Sequence, residues 1–423
     1  MENLKKNDLC IEHSERIVVI IRKIIASILG ILIGSTMFLG TCLAAGSVNT
    51  VSVSEAKKAI VFQIVMDMKT DEQSPWHNKK VKFDEPIEVY DTTGNLYSYL
   101  FNLTVDGQPA GFIEASALKD DCPIISFSYE ESDMTSSKIN SLKNENNGNS
   151  NTIVNEKIIA LAPGNFGLKQ DFDDGSAIIA NTFETIKLTK DQNKPNLKNK
   201  IEVNSDIRKL REDIDIAVGD IGSSSDGVTD NLREFETGTK TYGLVGTCPD
   251  LNQTYSSLWT GPSGCSPTSA ANIMLYWADN GYPELTEGLS DDELLLELRE
   301  AMGTYYQDGK GLTIPSHIAP GMSTFAQNMG ISEASGIRLI DSFGAYMGGI
   351  ACGPNVITFE AQEYYGYHSV TGVGWVKYWY NGSSTGHQYM KVHDNRSNTV
   401  KSVYVAYDRD YDEIYFDQFY PEW

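Results

Sequence analysis

Positive charge is in short supply. The 423-residue chain sets 34 Lys and Arg against 57 Asp and Glu, a formal net charge of −23. So acidic a surface repels phosphate backbones, which argues against nucleic acid as a partner and suits a soluble protein working outside a cell. Cysteine is also scarce, at six residues, of which Cys10 and Cys42 fall in the amino-terminal segment. The other four, Cys122, Cys248, Cys265 and Cys352, are too few and too scattered for a disulfide scaffold, and no CxxC pair or Cys/His spacing suggests zinc. Cys248 and Cys352 could form a disulfide in an oxidising compartment, although spacing alone does not fix connectivity. The acidic DRDYDEIYFD near the carboxyl end lacks the loop glycine and terminal glutamate of an EF-hand and reads as a solvated edge. No metal or organic cofactor is implied.

At the amino terminus, Lys5, Lys6, Arg16, Arg22 and Lys23 precede the apolar run IIASILGILIGSTMFLGTCLAAG. Residues 1–45 therefore read as a signal peptide, with Ala44 and Ala45 meeting the small-residue requirement for cleavage, or as an uncleaved signal anchor. The expected address is secreted or cell-surface, with membrane contact only through this segment.

After it the composition shifts. From Thr241 to Trp423 lie 18 of the 22 tyrosines and five of the six tryptophans. The preceding part, residues 46–195, reads as β-rich: alternation between the turn signals TTGN and DGQP predicts strands near Ile87–Tyr90, Leu96–Leu103 and Ala110–Ala115. Residues 133–152 are polar and read as a flexible insertion, and residues 196–240 as an acidic helix-and-linker connection. His77, the only histidine there, has no partner in the sequence pattern.

The second half, residues 241–423, opens with GPSGCSPTSAANIMLYW. Thr268–Trp277 is apolar on nearly every face, as a buried helix would be, and Pro267 suits its first turn. SDDELLLELREAM predicts a second helix with Ser290 and Glu293 in a capping box. From Tyr364 onward the chain reads as strands: YHSVTGVGWVKYWY, HQYMKVHDN and KSVYVAYD. Helix first and antiparallel sheet afterwards is an α+β order.

Cys265 stands at the start of the buried helix, where unpaired N–H groups and the helix dipole favour thiolate over thiol. A nucleophilic cysteine also needs a base and a group to orient it. Of the four downstream histidines, His368 opens a strand with two glycines able to pack closely on a helix, whereas His317 and His387 read as solvent-facing loop residues. In YMKVHDNR, strand alternation groups Asp394 with the inward Met390 and Val392, and His393 with the outward Lys391. Asp394 is thereby placed to accept the Nδ1 proton of His368, with Asn395 on the other face.

The ordered pieces SGCSPTSAANIMLYW, YHSVTGVGW and YMKVHDNR resemble the three catalytic blocks of papain-like cysteine peptidases, with Pro two residues after Cys as in the bacterial double-glycine-leader-peptidase-like (C39-like) branch. The upstream meander is similar to propeptides of streptopain-like peptidases. The resemblance implies a papain-like catalytic domain, a buried helix carrying Cys265 packed on an antiparallel sheet, preceded by a β-rich prodomain. It implies a Cys265, His368, Asp394 triad hydrolysing peptide bonds of a peptide or protein substrate, with the prodomain as a possible inhibitor. One departure stands out. The oxyanion glutamine expected about six residues before the cysteine is replaced by Trp259, and a longer loop would have to bring round Gln253 or Asn252. Two other functions fit the same residues: an impaired binding or adhesion module, and an amidase or transferase on cell-wall peptides.

Overall fold

A computed structural model describes residues 50–423 except 92–93, 147–150, 182–184, 192, 194–204, 219–226, 229–237, 308, 362–365, 397–401, 410 and 423. The amino-terminal apolar segment, with Cys10 and Cys42, and most of the 196–240 connection lie outside the described residues.

The first described helix, α1 (Val53–Thr70), starts on a capping box in which Ser52 and Glu55 satisfy each other's N–H groups. It presents Ile60, Ile64, Val65 and Met68 to a sheet built in the order the turn signals suggest: β1 (Val81–Phe83), β2 (Ile87–Tyr90), β3 (Leu96–Val105), β4 (Gln108–Ser116) and β5 (Ile124–Ser128). The insertion holds α2 (Ser136–Asn146), a departure from the flexible stretch expected. Its Ile139 and Leu142 share a face at i, i+3 and pack on the core, which the polar composition concealed. Strands β6 (Ile153–Ala162), β7 (Asn165–Phe172), β8 (Ala177–Ala180) and β9 (Thr185–Leu188) extend the sheet, and α3 (Ser205–Val218) buries Ile207, Leu210 and Ile214 in the same core as α1.

The second half adds β10 (Thr239–Leu244), α4 (Cys265–Asp279), α5 (Asp291–Ala301), the hairpin β11 (Tyr305–Gln307) and β12 (Lys310–Leu312), and α6 (Ile318–Asn328). Then come β13 (Ser335–Leu339), α7 (Phe343–Cys352), β14 (Asn355–Ala361), β15 (Gly366–Trp379), β16 (His387–His393), β17 (Ser402–Ala406) and β18 (Glu413–Tyr420). The Ser290–Glu293 box caps α5 as its sequence predicts. The main path of the large sheet runs β13-β18-β14-β15-β16-β17-β5-β4-β3-β2-β6-β7-β8-β9, antiparallel except where β2 meets β6. Helices on a mostly antiparallel sheet make the mixed architecture expected. The acidic DRDYDEIYFD does not form an edge: β18 lies between β13 and β14, because Phe416 and Phe419 supply it with an apolar face on each side.

His387 corrects the sequence reading. It is buried in β16 with its ring 4.9 Å from that of Phe62, rather than facing solvent, because α1 covers the strand. Burial depresses its pKa to about 3. An imidazole depressed below its unfolded value of roughly 6.5 contributes stability that is complete above that pH and lost as pH falls towards the folded value. Asp408, pushed up by burial to about 6, works in the opposite sense. A variant comparison cancels it. His387→Phe is expected to gain stability relative to wild type on going from pH 7 to pH 4, by up to about 3 kcal/mol. Urea midpoints at the two pH values measure this, and an equal difference at both would contradict it.

Candidate active site

Cys265 is the first residue of α4, half-buried, and follows Gly264 at φ 92°. That conformation, with the Gly311 carbonyl 2.9 Å from where a Cβ would lie, leaves room only for glycine. The turn is held from two sides. Thr268 Oγ1 donates to the Gly264 carbonyl at 2.7 Å and meets Ser263 Oγ at 3.0 Å, while the Arg299 guanidinium donates to the carbonyls of Pro262 (3.1 Å) and Ser263 (2.5 Å). The sequence reading missed Arg299, whose place in an otherwise apolar helix face was the available signal.

Gln253 reaches the thiol's neighbourhood through a hairpin. Tyr255 bridges Pro262 in antiparallel register and the Ser263 N–H donates to the Thr254 carbonyl at 2.8 Å, which sets Gln253 opposite Gly264. Its own N–H donates to the Asn395 carbonyl at 3.0 Å. Gln253 is 9% exposed and its Nε2 is a buried donor without a partner. Trp259, six residues before Cys265, belongs to the intervening loop, with the Arg299 guanidinium 5.5 Å from its ring.

Strand β15 lies against α4. Ser266 Oγ and Ser369 Oγ, each one residue beyond Cys265 and His368, are 2.9 Å apart, and Thr358 Oγ1 meets Ser369 Oγ at 2.8 Å. His368 is 1% exposed, with Nε2 3.4 Å from the main-chain oxygen of Asp394 and Nδ1 without a partner. The nitrogen facing Asp394 is therefore Nε2, not the Nδ1 expected, and it meets the carbonyl. The Asp394 carboxylate accepts from the Arg396 N–H at 3.1 Å. Burial, then the charge of Arg396 and that of Lys310, hold the His368 pKa well below its usual value, against the opposing Asp394 carbonyl, so the ring is neutral. No hydrogen bond joins it to the Cys265 thiol.

The strand alternation expected over YMKVHDNR stops at His393, the last residue of β16. His393 is buried rather than outward, its Nδ1 3.1 Å from the Pro249 carbonyl. Burial is the main cause of its pKa falling to about 4. Beyond the strand Asn395 takes φ 57°, a left-handed conformation that Asn tolerates, and turns inward. Its Nδ2 donates to Ser269 Oγ (2.6 Å), its Oδ1 accepts from Asn272 (3.2 Å) and Thr371 (3.3 Å), and Ser269 Oγ donates to the Cys265 carbonyl at 2.9 Å. Asn395, Ser269, Asn272 and Thr371 thus tie the helix start to both strands. Sequence reasoning passed over them because each is an ordinary polar residue whose partner is distant in the chain. Asn395→Ala is expected to lower stability by about 2–4 kcal/mol, since it strands buried partners. Denaturant unfolding checks this, and a loss below about 0.5 kcal/mol would contradict it.

Cys248 is a free thiol and so does not bridge Cys352. Burial raises its pKa to about 12, which leaves it unreactive at neutral pH.

Residues 238–422 match the Peptidase_C39 like family, and this match supports a cysteine peptidase fold for the second half. Among solved structures, a prointerpain A fragment from Prevotella intermedia, determined as a cysteine-to-alanine mutant, is 11% identical to the chain. The alignment covers 64% of this chain and 99% of that one, with a TM-score of 0.29. None of the curated proteins matches.

Proposed function

We propose that the protein is an exported cysteine peptidase in which Cys265 is the nucleophile, His368 the base and Gln253 an oxyanion donor. The observation that carries this reading is the convergence on the α4 start of a half-buried thiol, an unpartnered buried amide and a strand bearing a neutral imidazole. Neutral imidazole can take a proton, and Nδ1 is the nitrogen left free to do so. The Cys265 Sγ–H would give its proton to His368 Nδ1 as sulfur attacks the peptide carbonyl carbon. The Cys265 N–H, an unpaired first-turn donor, and Gln253 Nε2 would hold the resulting oxyanion. The C–N bond then breaks as His368 returns the proton to the amine, leaving a thioester. Water, deprotonated by His368, hydrolyses it. Asp394 would orient the ring through its carbonyl.

The rim supports a substrate with large side chains. Tyr255 and Tyr306 are exposed, the Tyr306 ring lying against Gly261, and Tyr367 precedes His368. Export is supported by the apolar amino-terminal segment ending in Ala44 and Ala45. A second reading, an impaired module that binds without cleaving, draws on the missing Cys265–His368 hydrogen bond. Incubation of the full chain with casein decides between them. Fragments that vanish after iodoacetamide treatment are the expected result, and intact casein after prolonged incubation would favour the binding module.

A further inference from the structure

The half expected from sequence to be a prodomain shares a sheet and a core with the second half. Strand β17 pairs with β5 through Tyr404 opposite Phe127 and Val405 opposite Ser126, and the Phe127 and Tyr404 rings stack at 4.6 Å and 5°. Across the same seam Ser128 Oγ donates to the Ser402 carbonyl at 2.7 Å. α1 reaches the second half through Asp67, which accepts from Tyr378 at 2.7 Å, and Phe62, whose ring lies 6.1 Å from that of Tyr380. Val376, Tyr389, Tyr404 and Ala406 are buried in the same core as Ile60, Ile64 and Val65.

Two charged links cross the seam as well. Arg409 meets Asp121 at 3.0 Å, with side chains 3% and 2% exposed. Lys240, 6% exposed, pairs with Asp71 and lies 4.0 Å from Asp67, whose carboxylate also accepts from Tyr378 at 2.7 Å. Separation would leave β17 an unpaired edge, uncover an aromatic face and strand these charges, each unfavourable in water or in a dry interior. The hydrogen bonds that build the Cys265 site join residues of the second half to one another. The seam is thus distinct from the site, and residues 50–423 make one unit.

We propose that residues 50–218 are a permanent lobe of the protein, so that breaking the chain between the halves yields a two-chain molecule rather than a released prodomain. The proposal does not depend on the catalytic reading. To test it, a recognition sequence for a site-specific protease is inserted between Ser224 and Ser225 of the full chain, and the cut protein is examined by size exclusion and denaturing gel. The expected result is one peak at the elution volume of uncut protein, containing both fragments. Recovery of either fragment without the other, folded or aggregated, overturns the proposal. In cut Asp121→Ala protein the fragments should part at a lower urea concentration than in cut wild type, and unchanged separation would count against the seam as the holding element. The same insertion in Cys265→Ala must behave as wild type, so that separation of the halves and loss of hydrolysis are read independently.

Discussion

Cys265→Ala is expected to abolish peptide hydrolysis while leaving the urea midpoint close to wild type. The side chain contributes one sulfur atom at a half-buried helix start, and the elements that position it survive the change. Gly264 keeps its conformation, Thr268 still holds the Gly264 carbonyl, and Ser269 still bonds the main-chain oxygen of residue 265. What disappears is the thiol that the proposed mechanism acylates. No other described thiol can substitute. Cys122 is buried, with its pKa raised well above the usual value by desolvation, and that of Cys248 stands at about 12. Turnover retained at even a few per cent of wild type would move the nucleophile elsewhere.

The second large effect is expected at Gln253. A buried amide donor left without a partner costs about 1–3 kcal/mol, so a group that appears only during reaction is the physical reason to keep one beside a nucleophile. Gln253→Ala should therefore lower kcat by roughly 10²–10³-fold with little change in KM, because an oxyanion donor acts in the transition state and not on the ground-state substrate. Stability should hold or rise slightly, since the orphaned donor is removed. Trp259→Ala supplies the contrast: it stands six residues before Cys265 in sequence, yet it lies in the intervening loop with its ring beside Arg299, so it should affect stability more than kcat. A Gln253 variant with wild-type kcat, or a rise in KM alone, would assign the oxyanion role to another group.

Much of this was legible in the sequence because it is local. The capping box at Ser290, the meander from Ile87 to Ser116 and the buried helix after Cys265 follow from neighbouring residues, and each forms where its pattern predicts. The positions of His387 and His393 were not legible, since their burial depends on α1 and on the Pro249 loop, both distant in sequence. Gln253 could be named but not placed. The Tyr255–Pro262 bridge and the Ser263–Thr254 hydrogen bond show that the extra residues fold into a hairpin returning it to Gly264. Alternation carried past the end of a strand fails for a plain reason: Asn395 leaves the extended conformation, and residues 394–396 then face wherever the turn directs them.

The most direct test is to treat the full chain with a peptidyl electrophile that alkylates only activated cysteines, then to map the modified residue by mass spectrometry. The proposed mechanism predicts a single adduct on the peptide containing Cys265, absent in Cys265→Ala and strongly reduced in His368→Ala. Modification at Cys248 or Cys122, or labelling of Cys265 that is indifferent to loss of His368, would contradict it.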